Sequence, residues 1–498
     1  MAQIHGLEVT DSPSSAFPIH KFLIEGAWTT GGAETFLTVT SPATGQCLGY
    51  VPLATRADAA RAVEAARRSK AKIARMSVWD RARMCHRIAD AMEARKEDLA
   101  RVLTLEQGKP LATEARLEIA AACASFRDAG EQIKWLETDC FPVEAPGKRV
   151  FNYLQPKGVF ALVTPWNFPI ALPATYYLGP GLAAGNALAW VPAPTTSICA
   201  VKLMECLEEA DVPTGIVNMV TGEGPQVGDA VIVHPQSDAV AFTGSAETGQ
   251  IVAERGAGKP LLLELGGNGP TIVMADADLE LAAKRIATGC YANAGQICTA
   301  TERILVHEAV HDRLVEGLLE NTERVVLGDP LDEATTMGPL NNRSCADKVE
   351  DHVNEALENG AELHAGGGRR GGMPSDLYFE PTVLTNVQKD TKINRLETFG
   401  PVAPVLKFKD DAQLWDIVDA SSFGLSASVF TTRIKDALQI GDRLRHGIVN
   451  INDMSCYWEM AIPAGGAAGK HSGIGRTGGK HTITEMSDLK TITIDVNA

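Results

Sequence analysis

Cys298 stands in Tyr291-Ala-Asn-Ala-Gly-Gln-Ile-Cys298-Thr-Ala, a run of small and amide residues. A thiol in such company can act as a nucleophile if it is reachable and if nearby dipoles or charges favour its thiolate. Gly295 permits a tight turn, Asn293 and Gln296 are spaced to bond backbone, and Ile297 is the one bulky residue just before the sulfur. Taken alone, the run fits a buried structural cysteine at least as well. Glu264-Leu-Gly-Gly267 ends a β-run with a carboxylate, which suits a general base toward water, or equally a solvated or capping residue. Pro165-Trp-Asn167-Phe-Pro169 fixes an amide between prolines, where its N–H groups can donate to a developing oxyanion or merely stabilise a turn. Phe242-Thr-Gly-Ser245-Ala-Glu-Thr-Gly249 follows a β-run and opens a helix. Free N–H groups there suit a phosphate, though the run is not G-x-G-x-x-G, and a helix cap at Ser245 is the plain equivalent.

The elements that must position these residues are set by a chain of 498 residues, more than one core usually organises. A net charge of −16 argues against nucleic acid or an anionic membrane as the main partner. The ten cysteines include no C-x-x-C pair, and the eleven histidines form no H-E-x-x-H group, so no metal site is expected and a reducing compartment is. Cys199 and Cys206 share helical spacing with Leu203 and Leu207 and read as core. The N-terminus has no basic-then-apolar signal pattern, so a cytoplasmic location is expected. Between Lys157 and Lys202 no residue is charged, but six prolines interrupt the stretch, which therefore reads as a buried strand-loop-helix-strand passage and not a membrane span.

Residues 1 to 55 read as loop and strand, followed by helices; Ser77 and Asp80 have the spacing of a capping box, and Met84, Ile88 and Met92 share a face. The helices break at Gly108-Lys109-Pro110 and resume to Leu136. From 158, strands are expected at Gly158–Thr164, Ala187–Val191, Ile216–Val220, Ala239–Phe242 and Pro260–Glu264, with a helix at Thr196–Glu209. That alternation implies α/β architecture with a parallel sheet. A second α/β unit follows from 267, with helices at Glu308–Arg324 and Cys345–Asn359. Gly366-Gly-Gly-Arg-Arg-Gly-Gly372 lacks a flanking strand and helix and reads as a solvated loop. Strand-like stretches at 138–155 and Lys490–Asn497 pair either with another subunit or with each other.

Six motifs stand in a fixed order: Pro165-Trp-Asn-Phe-Pro169, Phe242-Thr-Gly-Ser245, Glu264-Leu-Gly-Gly267, Gly295-Gln-Ile-Cys298, Glu397-Thr-Phe-Gly-Pro401 and Ser472-Gly-Ile-Gly-Arg476. In order and spacing the chain resembles the aldehyde dehydrogenase superfamily from about residue 20 to 495. The resemblance implies a Rossmann-like dinucleotide-binding domain (1–137 and 157–266), a catalytic domain (267–483) and a small β oligomerisation arm (138–156 and 484–498), hence a homodimer or homotetramer. It implies that Cys298 attacks an aldehyde to give a thiohemiacetal, whose oxyanion the Asn167 amide and the Cys298 N–H hold. Hydride then passes to a nicotinamide, and Glu264 activates water to release the acid from a thioester. Glu397 and Phe399 would hold the nicotinamide ribose and ring, and Trp166 and Ser245 would lie by the phosphates and ribose. Further cofactor contacts would come from Thr164, Pro165, Val191, Pro194, Gly228, Phe242, Gly244, Leu265 and Gly266.

Two stretches depart from the family's pattern. Its lysine and glutamate for the adenosine ribose are replaced here by Val191 and Pro194. Losing the glutamate removes a repulsion of a 2′-phosphate, and losing the lysine removes an attraction. The cofactor is therefore NAD or NADP, with a slight balance toward NAD. The loop after Pro463 is also two residues longer than usual. By motif-adjacent position the aldehyde pocket is lined by Leu172, Thr175, Tyr176, Ile297, Thr299, Cys456 and Trp458; the absence of arginine there points to a neutral aldehyde. Rival expectations are a coenzyme A-acylating dehydrogenase, against which a base for water argues, a non-catalytic relative, and a cofactor-independent cysteine esterase.

Overall fold

The structure is a computed structural model that describes residues 3, 4 and 6–497. Val159–Val163, Ala187–Val191, Val217–Met219, Ala239–Gly244 and Leu261–Leu265 form the parallel centre of an eight-stranded sheet. These strands are buried almost end to end, as a parallel sheet between two helix layers requires. Their spatial order is Leu261–Leu265, Ala239–Gly244, Val159–Val163, Ala187–Val191, Val217–Met219. The chain thus starts in the middle, builds one side, and returns to build the other. The crevice beyond the carboxyl ends of Val159–Val163 and Ala239–Gly244 lies where the order reverses, the position at which such sheets bind ligands.

Phe22–Ile24 and Ala27–Thr29 extend this sheet on one edge, and Gly473–Ile474 pairs antiparallel with Leu261–Leu265 on the other. The last pairing departs from the expected division, because residues 472–476 fall within the range assigned to the second unit. A seven-stranded sheet, parallel except for Glu362–Ala365, is centred on Pro270–Val273 and Arg303–His307. Each large sheet has its own apolar core. The 138–156 stretch and the C-terminal strand Ser487–Asp495 pair with each other along Lys148–Pro156, with Cys140–Phe141 as a third strand. Leu489, Ile494 and Phe141 on this small sheet, and Val496 just past its C-terminal strand, are exposed.

Local rules account for most boundaries. Thr55 and Asp58 make the reciprocal capping box of helix Arg56–Ala74, a box the sequence reading does not pick out. At Ser77, which it does, the hydroxyl accepts from the Asp80 amide, but the return bond to the Ser77 N–H is missing. The uncharged passage becomes strand Val159–Val163, helical turns over Pro173–Ala184 and strand Ala187–Val191. Among the described residues no helix is long and apolar enough to cross a membrane. Gly366–Gly372 is a loop, although strand Glu362–Ala365 runs directly into it where none is expected, and its Arg369 pairs with Asp347 and Glu350.

Candidate active site

Helix Leu279–Tyr291 delivers the chain to the turn that carries Cys298. Asn293, Ala294 and Gly295 follow one another in the left-handed region, at φ 51°, 53° and 74°. For the two non-glycines this is unfavourable and must be imposed from outside. The Asn293 N–H donates to Glu114 (2.8 Å), and its side-chain amide donates to the carbonyls of Asn167 (3.1 Å) and Gln296 (3.2 Å). Gln107 donates to the Asn293 side-chain oxygen, Gln296 to the Asn293 carbonyl, and the Asn341 N–H to the Gln296 side chain. Gly295 is required by space as well as by φ, since a Cβ there would lie 2.1 Å from the Gly400 carbonyl oxygen. Ile297, Cys298 and Thr299 emerge half-buried beyond this fixed turn.

Strand Leu261–Leu265 brings Glu264 to the same place. A Cβ on Gly267 would fall 2.1 Å from the Cys298 carbonyl oxygen, so only glycine lets the two segments meet. Ser472 backs the strand end, donating to the Gly266 carbonyl at 2.7 Å. Burial pushes the Glu264 carboxyl from 4.5 up to about 8, with Arg476 opposing the shift. Burial first, then the Glu264 and Glu397 carboxyls, hold the Cys298 thiol well above its ordinary range. The neighbourhood of the sulfur is thus acidic, and its thiolate must wait for a positive charge or a proton acceptor.

The third group arrives on the loop after Val159–Val163. The Asn167 side-chain amide donates to the Gln296 carbonyl at 3.0 Å, which ties it to the thiol turn. Its own backbone carbonyl receives the Lys109 ammonium at 2.9 Å. Lys109 also pairs with Glu118 at 2.6 Å, and Glu118 accepts from the amides of Ile170 and Ala171.

Residues expected to meet a dinucleotide gather around the crevice. Ser245 is exposed and caps the ten-residue helix Ala246–Arg255. Glu397 accepts from the Gly267 N–H at 2.9 Å. Phe399, at φ 61°, packs edge-on against Trp166 with ring centres 5.5 Å apart. Glu302 holds that strained loop by accepting from the amides of Thr398 (2.7 Å) and Phe399 (2.8 Å). A helix terminus aimed at the crevice, an aromatic pair and a backbone-anchored carboxylate fit a dinucleotide. The fit is weaker at Val191 and Pro194. Val191 is fully buried, so only its backbone is available, and the Thr164 hydroxyl accepts from Trp190 at 2.9 Å. Gly228, Phe242 and Leu265 are buried beside the strand ends.

In the expected aldehyde pocket, Tyr176 and Trp458 meet edge-on with ring centres 5.5 Å apart. Ser455, next to Cys456, donates to the Thr299 carbonyl at 2.8 Å, which brings the 455–458 segment against the thiol turn. Leu172 is buried. The Thr175 hydroxyl is engaged with Ser125 at 2.6 Å on helix Arg116–Gln132. The longer loop after Pro463 lies over Ser421–Gly424, where Lys470 donates to the Ser421 carbonyl and Ala467 to the Gly424 carbonyl.

Lys109, Glu118, Glu114 and Glu302 escape the sequence reading. Gly108-Lys109-Pro110 signals a break, and nothing in the types or spacing of the four tells a buried anchor from a solvated charge.

Two parallel sheets meeting at a thiol turn, with a switch-point crevice alongside, define an α/β enzyme that handles a dinucleotide. The chain matches the Aldehyde dehydrogenase family model over residues 28–492 and belongs to that family. It is 37% identical to the glutarate-semialdehyde dehydrogenase of Pseudomonas aeruginosa over 94% of this chain and 96% of that one. It is 38% identical to the NADP(+) succinate-semialdehyde dehydrogenase of Escherichia coli, with the same coverage. The solved NAD-dependent aldehyde dehydrogenase of Sinorhizobium meliloti superposes with a TM-score of 0.92 at 36% identity, covering 96% of this chain and 95% of that one. The protein is an NAD(P)-dependent aldehyde dehydrogenase that oxidises an aldehyde to its carboxylic acid.

Proposed function

We propose that Cys298 is the nucleophile, Asn167 the oxyanion donor and Glu264 the base of this oxidation. The observation that carries the assignment is the convergence at one turn: Asn167 bonded to Gln296, and Gly267 pressed against the Cys298 carbonyl. Cys298 gives its proton to solvent as its sulfur bonds to the carbonyl carbon, and the Asn167 amide with the Cys298 N–H receives the resulting oxyanion. When bound, the oxidised nicotinamide supplies a hydride acceptor and a positive charge. Glu397, Phe399, Trp166 and Ser245 orient it. Glu264 then takes a proton from water, whose oxygen attacks the thioester carbon, and the acid leaves as the thiol reforms. Coenzyme A supplies its own nucleophile and would need no such base; the relatives give the acylating alternative no support.

The substrate we infer is a neutral aliphatic or aromatic aldehyde, because the expected lining is apolar and aromatic around Tyr176 and Trp458. The names of the relatives favour a second reading, a semialdehyde carrying a carboxylate. A steady-state panel separates them: kcat/KM for hexanal or benzaldehyde above that for succinic semialdehyde supports the first, and the reverse order supports the second. NAD is favoured over NADP because no cation stands at Val191 or Pro194. The first sheet serves as the dinucleotide unit, the second as the catalytic unit, and the exposed apolar arm joins subunits into a homodimer or homotetramer. Ten unpaired cysteines suit the cytoplasm.

A further inference from the structure

We propose that the buried Lys109–Glu118 pair is the positioning device for the Asn167 amide, an inference that rests on the oxyanion role given to Asn167. The two side chains are 1% and 2% exposed, so they form no solvated surface pair. Between them they grip nearly every residue of the loop. The Lys109 ammonium takes the Asn167 carbonyl at 2.9 Å and lies 3.9 Å from the centre of the Phe168 ring. One Glu118 oxygen accepts from the Ile170 N–H at 3.1 Å and the Ala171 N–H at 3.0 Å, while the other holds Lys109 at 2.6 Å. Pro169, which has no N–H to offer, is the one residue of 167–171 left ungripped.

Desolvating two charges for stability alone is a poor exchange, since an apolar pair of the same volume often does as well. What the ions provide is direction. Four bonds, three from the ion pair and one from Asn293, converge on residues 167–171, and they fix the peptide from which the Asn167 side chain projects. The thiol turn is tied to the same point, because Asn293 donates to the same Asn167 carbonyl that Lys109 uses. Lys109 therefore acts through Asn167 and does not touch the reacting atoms. An oxyanion donor must sit near 3 Å from the forming alkoxide, and a drift of about 1 Å can cost on the order of a hundredfold in rate.

The test is a double-mutant cycle on the cofactor-supplemented enzyme, crossing Lys109→Met/Glu118→Gln with Asn167→Ala. Removing both charges together avoids a lone buried ion. Lys109→Arg, which keeps the charge paired while displacing the donor, is carried through the same cycle in case the double change does not fold. The expected result is a loss of kcat on the order of 10²-fold for Asn167→Ala, a comparable or smaller loss for the pair variant or Lys109→Arg, and no further loss when either is combined with Asn167→Ala. The Kd for NAD or NADP, read by fluorescence, stays unchanged throughout. Losses that multiply, or undiminished kcat in both Lys109 variants, overturn the proposal. An Asn167→Ala enzyme with wild-type kcat overturns the oxyanion assignment instead.

Discussion

At one end of the crevice Asn167, Asn293 and Gln296 hold each other through side-chain and backbone bonds, and Gly267, its N–H on Glu397, abuts the Cys298 carbonyl. At the other, where the adenosine ribose is expected, Val191 is buried and Pro194 is the apolar start of the turn Pro194–Thr196, so neither position offers a polar side chain. The contrast separates two jobs. Placing a thiol, an amide and a carboxylate within reach of one carbon demands rigidity, and buried polar partners supply it. Holding a nucleotide tail demands only enough contact for useful occupancy, so groups can be lost there without stopping the chemistry.

The largest effect should come from the rigid end. Cys298→Ala removes the proposed nucleophile, and dehydrogenase turnover should fall about 10⁴-fold or more, read as NAD(P)H absorbance. Residual turnover within tenfold of wild type would place the chemistry elsewhere. Glu264→Gln should slow acid release by about 10² to 10⁴. In the wild-type enzyme kcat should rise with pH as Glu264 ionises near pH 8, and the variant should lack that limb.

The same carboxyl sharpens the comparison through stability. Its folded pKa is raised from 4.5 to about 8, so ionisation favours the unfolded chain. Stability from the neutral group is whole below about pH 4.5 and declines as pH climbs toward 8. Glu264→Gln should therefore melt higher than wild type at pH 8 and match it near pH 4.5; equal melting at both would show the carboxyl to be well solvated. The smallest effect should come from the sparse end. Val191→Lys with Pro194→Glu should lower KM for NAD roughly tenfold, the worth of one or two charged hydrogen bonds, with kcat little changed. A fall in kcat there would mean that the two ends are coupled.

Much of this was legible in the residues. The parallel strands declared themselves by apolar runs ending at Gly and Pro, and Ala187–Val191 appears with the expected bounds. Cys298, Glu264 and Asn167 stood out because each sits beside residues that free the backbone or lock it. What stayed hidden was tertiary. Lys109 and Glu118 look like any surface charges until folding buries them. The antiparallel strand Gly473–Ile474 could not be foreseen, since two residues carry no periodicity.

Sulfur 298 is proposed to carry the acyl group and carboxyl 264 to release it. The direct test mixes the Glu264→Gln enzyme with aldehyde and NAD(P)+, quenches within one turnover, and maps mass along the chain. The expected result is a stoichiometric burst of NAD(P)H and an acyl adduct on the peptide bearing Cys298. A burst without that adduct, or with the adduct on another residue, would contradict it.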